Sequence, residues 1–139
     1  MKTLLNIIIF TVLLCTVGCK KLLDNPRFLE FENNSRTVVM VTFQYTFPDT
    51  TIQDRERIDY VDTLGANRSM KIPTASSVRR WADHISEMNS NSTIMVYVFS
   101  QDTIDNYQWE EIQENYNILK RYDLTIEELE SQNWKITYP

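Results

Sequence analysis

A chain of 139 residues, 42% of them hydrophobic, is long enough for one hydrophobic core and short for more than one domain. Its 19 acidic and 14 basic residues give a net charge of −5, which argues against a nucleic-acid partner, because phosphates are repelled by an acidic surface. Two cysteines, one histidine and two glycines argue against His/Cys metal centres, Gly-rich phosphate cradles, dinucleotide fingerprints and nucleophile elbows, and no cofactor is expected.

Lys2 precedes an apolar run, Leu4 to Leu14, broken by Asn6 and Thr11. The run closes at Gly18-Cys19, and Lys20-Lys21 follow. A positive start, a short apolar stretch and small residues before a cut form the layout of a secretory signal. The run falls short of the ~20 apolar residues of a permanent span. Thr16-Val17-Gly18-Cys19 resembles the bacterial lipobox, with Gly before the Cys as usual and Thr16 where Leu is commoner. The resemblance implies a signal peptide over residues 1–18 and a lipid, of the palmitate kind, on Cys19. Acyl chains anchor because each buried CH₂ contributes about 0.8 kcal/mol, so the mature protein is expected to be tethered to a membrane and not to span it. Lys20 and Lys21 would lie among anionic headgroups. No Asp follows Cys19, whereas in enteric-type lipoproteins an Asp there marks retention in the inner membrane. The expected location is therefore the cell envelope, lipid-anchored in the outer membrane, with either face open. Cys15 leaves with the signal and Cys19 carries lipid, so no disulfide is expected.

Residues 19–36 read as a tether. Pro26 opposes a helix there, and Phe28, Leu29 and Phe31 either add a short first strand or pack on the domain. Residues 37–139 read as one β-rich domain. Thr37 to Phe47 alternates, with Val39, Val41, Phe43, Tyr45 and Phe47 on one face, and predicts a strand that Pro48-Asp49 ends. Ile52 to Arg57 reads as loop. Ile58 to Val61 and Ser69 to Ile72 predict a hairpin across residues 64–67. Ser76 to Met88 predicts a helix capped by Ser76 or Ser77, with Val78, Trp81, Ile85 and Met88 on its apolar face. Thr93 to Ser100 is apolar on both faces, as a central strand should be. A helix is predicted near Gln108 to Asn117 and a strand near Asn117 to Tyr122. Thr125-Ile126-Glu127-Glu128 is a capping box that opens a short helix, and Trp134, Ile136 and Tyr138 alternate in a last strand. With so few glycines, left-handed positions should fall to Asn33-Asn34, Asn67 and Asn89 to Asn91. The expected class is α+β and β-rich: an antiparallel sheet or a β-sandwich with helical insertions.

The ending Tyr116-Asn117-Ile118-Leu119-Lys120-Arg121-Tyr122-Asp123-Leu124-Thr125, then Glu128-Leu129, then Asn133-Trp134-Lys135-Ile136-Thr137-Tyr138-Pro139, resembles that of a group of small uncharacterised lipoproteins from Gram-negative gut bacteria. Phe47-Pro48-Asp49 and Asp102-Thr103 fit the same outline. The likeness implies a lipid anchor and carries no biochemical role.

Three sets of residues are candidates for function. Trp81, Trp109, Trp134, Tyr116, Tyr122 and Tyr138 offer a sugar-stacking platform, against plain core packing, which their spacing favours. Glu110-Glu111 and Glu127-Glu128 offer paired carboxylates for glycoside chemistry, but adjacent helical residues do not face one another. Thr50, Thr63 and Thr103 each follow an Asp, in triplets resembling an O-glycosylation sequon of exported proteins in the same bacterial group; the plain alternative is turn chemistry. The leading expectation is a non-enzymatic accessory or binding subunit of the envelope, with a protein or glycan as partner. The alternative is a carboxylate-dependent glycan-processing or glycan-binding protein.

Overall fold

Seven strands form two sheets in a computed structural model that describes residues 26–57, 60–74 and 79–139. Cys19 and the expected signal peptide lie outside the described residues, as do Ser76, Ser77 and Val78. The strands are β1 (Phe28–Asn33), β2 (Val39–Gln44), β3 (Tyr60–Leu64), β4 (Arg68–Pro73), β5 (Thr93–Ser100), β6 (Lys120–Thr125) and β7 (Lys135–Tyr138). The helices are α1 (Trp81–Met88), α2 (Gln101–Asn106), α3 (Trp109–Asn115) and α4 (Ile126–Ser131).

The doubly apolar β5 is central, as its sequence predicts. It pairs antiparallel with β2 and β6, and β2 pairs with β3, giving the order β3-β2-β5-β6. A second sheet, β4-β1-β7, has one antiparallel and one parallel pairing. Phe28–Asn33, inside the stretch expected as tether, is thus the middle strand of a sheet, with Leu29 and Phe31 fully buried.

Period-two alternation sends alternate side chains of β2 and β5 to opposite faces. Val39, Val41, Phe43, Ile94, Val96 and Val98 meet Leu29, Phe31, Ile72 and Ile136 of the second sheet. Met40, Met95, Tyr97 and Phe99 point the other way and are covered by Ile52 and Ile112. Burying a side chain of this size contributes roughly 1.5–3 kcal/mol. α1 packs on the first of these faces through Trp81 and Ile85. The Trp81 indole Nε1 donates to Ile72 O at 3.0 Å, and its backbone N donates to Pro26 O at 3.1 Å, which fixes where the chain arrives at β1. α4 opens on the predicted box: Thr125 Oγ1 accepts from Glu128 N at 3.2 Å, and Glu128 Oε2 accepts from Thr125 N at 2.8 Å.

Several expectations are corrected. β3 and β4 do not form a hairpin; they belong to different sheets, and residues 64–67 turn the chain from one to the other. Asn33 Nδ2 holds that corner, reaching Thr37 O at 2.8 Å, Gly65 O at 3.1 Å and Leu64 O at 3.3 Å. Asn67 takes the left-handed conformation as expected (φ 52°), but the other such positions among the described residues are Ser92, Tyr116, Asn133 and Trp134. Asn89, expected in that role, instead spends its amide on Tyr45 O at 2.8 Å and Thr93 O at 3.2 Å. Met88 leaves the apolar face of α1 and is exposed. α2 was not predicted; Ser100 Oγ caps it by accepting from Thr103 N at 2.9 Å. α3 ends before Tyr116, and β6 starts at Lys120.

Candidate functional site

The outer face of the β3-β2-β5-β6 sheet, away from the second sheet, carries two adjoining polar grooves. Its cover begins with the loop after β2. Asp49 Oδ1 accepts from Thr51 Oγ1 at 2.7 Å and from Thr51 N at 3.0 Å. These bonds close a tight turn and hold the Asp49 carboxyl below its ordinary value. Ile52 then turns inward and is buried. Tyr97, on the sheet beneath, donates its hydroxyl to Thr50 O at 2.8 Å. Burial, with Tyr116 beside it, pushes the Tyr97 phenol far above its usual range, so it stays a neutral donor.

α3 forms the facing wall. Its start is fixed by Glu111 Oε2, which accepts from Gln108 N at 3.1 Å. Ile112 is buried against the sheet and Trp109 is half-buried, so helical geometry turns Glu110, Gln113 and Glu114 toward the loop. Three hydrogen bonds join the walls: Trp109 Nε1 donates to Gln53 O at 3.0 Å, and Gln113 Nε2 donates to Ile52 O at 2.7 Å and to Asp54 Oδ1 at 3.4 Å. Between the walls runs a groove of about 670 Å³ lined by residues 50–54, Glu110, Gln113, Glu114 and Tyr116. A second groove of about 550 Å³ continues from it, sharing Asp54, Glu110 and Gln113 and reaching Tyr107 and Asp105.

Tyr116 stands at one end, 40% exposed, in a left-handed backbone conformation (φ 53°, ψ 45°) that is uncommon for a bulky residue. Arg121 Nη1 donates to its hydroxyl at 2.6 Å, and the Tyr97 ring meets it edge-on with centroids 6.5 Å apart. Asp123 in turn holds Arg121, with Nε and Oδ1 3.0 Å apart. Tyr107, 50% exposed, stands at the other end of α3.

The residues singled out from sequence scatter. Trp81 and Trp134 are core, and Tyr122 and Tyr138 are half-buried. Of those aromatics only Trp109 and Tyr116 touch the grooves. Glu110 lines both, while Glu111 and Glu128 cap their helices, and the thought-of pairs do not converge. Thr50 lies in the loop wall. Thr63 is exposed on the edge strand β3, its Oγ1 3.3 Å from Gln101 Oε1. Thr103 shares its hydroxyl with Ser100 Oγ at 2.7 Å. The sequence reading missed Tyr107, Gln53, Asp54 and Gln113. The outward side of the Trp109–Ile112 stripe gave the only local signal for Gln113. Among the described residues no group of three or more His, Cys, Asp or Glu could hold a metal ion, and no helix is long and apolar enough to cross a membrane. Compared with known protein families, curated proteins and solved structures, the chain matches none.

Proposed function

We propose that the protein is a lipid-anchored component of a bacterial cell envelope, acting as a non-enzymatic accessory or binding subunit attached to the outer membrane through Cys19. The observation that carries this is the order of the N-terminal signals: Lys2, the apolar run, Gly18-Cys19, then Lys20-Lys21. The domain follows at once. Pro26 is already hydrogen-bonded to α1, and the seven Cα-to-Cα steps from Cys19 to it reach at most about 25 Å at ~3.3–3.6 Å each. A domain on so short a leash works beside the membrane. Binding suits it better than catalysis, because Glu111 and Glu128 are committed to helix caps.

The test is metabolic labelling with an alkyne fatty acid, followed by membrane fractionation. The native chain is expected to take the label and sediment with membranes, and Cys19→Ala to do neither. An unlabelled native chain, or a Cys19→Ala chain still held in the membrane fraction, would overturn the anchor.

A further inference from the structure

We infer that the trough along α3 is an oligosaccharide-binding site for uncharged or amino-bearing sugars, with Tyr107 and Tyr116 as its stacking platforms. This deepens the binding-subunit reading above and rests on it. A sugar ring offers an apolar C–H face and a rim of hydroxyls. The trough offers the complement of both. Its exposed tyrosines are separated by α3, about 10 Å of helix at ~1.5 Å per residue, so a short chain of sugars lies along the helix with one ring over each. Between them Gln53, Glu110 and Glu114 present an amide and carboxylates, groups able to take paired hydrogen bonds from neighbouring hydroxyls, beside Asp54 and Gln113, which are bonded to each other.

The site is preformed, so little order is lost on binding. Trp109 and Gln113 tie the loop to the helix. Tyr116 is fixed by Arg121, by the edge of Tyr97 and by its own backbone. Charge selects among sugars. Asp54, Glu56, Asp105, Glu110 and Glu114 line the two grooves against Arg55, which repels uronic acids and phosphates and welcomes a protonated amine. Placement agrees: β1, where the tether arrives, packs on the opposite face of the four-stranded sheet.

The test is calorimetric titration of the full-length chain in detergent micelles with tetrasaccharides of different charge. Maltotetraose, cellotetraose and chitotetraose are uncharged, the glucosamine tetramer is cationic, and tetragalacturonate is anionic. Binding is expected for the glucosamine tetramer or at least one uncharged chain, and none for tetragalacturonate. Tyr107→Ala and Tyr116→Ala should each weaken it about tenfold. Tyr116→Phe, which keeps the ring, should retain most of it, and Tyr122→Ala, on the other face of β6, should leave it unchanged. Circular dichroism checks that each variant folds. No binding by any sugar, binding indifferent to both tyrosines, or binding of a tetralysine peptide alone would overturn the proposal. Cys19→Ala run in parallel separates the two readings: it is expected to lose the membrane and keep the sugar.

Discussion

The two faces of the four-stranded sheet are built on different terms. On one, β-branched and aromatic side chains meet a second sheet, and the Trp81 indole donates to a buried carbonyl at 3.0 Å. On the other, a loop and two short helices cover a surface into which Thr42, Gln44, Tyr97, Arg121 and Asp123 intrude. Thr42 Oγ1 and Gln44 Nε2 are buried there with no hydrogen-bond partner among the described residues. A sheet needs only one tightly apolar face to hold a domain together. The other is then free to carry polar groups at some cost in stability, and the grooves lie over that second face.

Measurements can break or sharpen this contrast. The largest effect is expected from Trp81→Ala, which leaves a cavity in the inter-sheet core: a loss of about 3–5 kcal/mol in chemical denaturation. Trp109→Ala, half-exposed on the outer face, should cost clearly less, and the reverse ranking would erase the distinction between faces. Thr42→Val removes a buried hydroxyl without a partner and keeps the branched shape. It should raise stability by ~1 kcal/mol. Tyr97→Phe deletes the bond to Thr50 O and should cost about 1 kcal/mol, with faster amide exchange confined to residues 50–54. If exchange speeds up evenly across the domain, Tyr97 is not the pin of that loop.

The smallest effect concerns pH and the second sheet. The Lys135 ammonium, 3.0 Å from Glu32, is the main reason the Glu32 carboxyl lies below its ordinary value of 4.5. A lowered carboxyl stabilises fully above that ordinary value, and the contribution is lost as pH falls through the lowered one. Acid denaturation should therefore show a component that disappears in Lys135→Met. The pair is solvent-exposed and the component is small.

What was legible in the sequence was local. The unbroken apolar run in Thr93 to Ser100 marks a strand buried on both sides, and the Thr125–Glu128 box marks a helix start, because each signal is complete within a few residues. The corner after Leu64 was misread because its cause is distant: the Asn33 amide that turns the chain toward the other sheet lies 31 residues from Leu64. Period-two alternation says that a strand has two faces; it does not say which strand will be its neighbour. The site was hidden for the same reason. The bond from Trp109 to Gln53 spans 56 residues and that from Gln113 to Ile52 spans 61, and nothing in either segment alone announces the other. Tyr116 was read as one more helical aromatic, when the chain instead reverses its handedness there.

The parallel pairing of β1 with β7 has a consequence for how the molecule comes into being. Glu32 and Thr137, side by side across that pairing, are 105 residues apart. The second sheet therefore lacks one of its three strands until Lys135–Tyr138 has arrived, and closing so long a loop is slow. For a chain made from its N-terminus, the late strand acts as a timer on the closing of the second sheet.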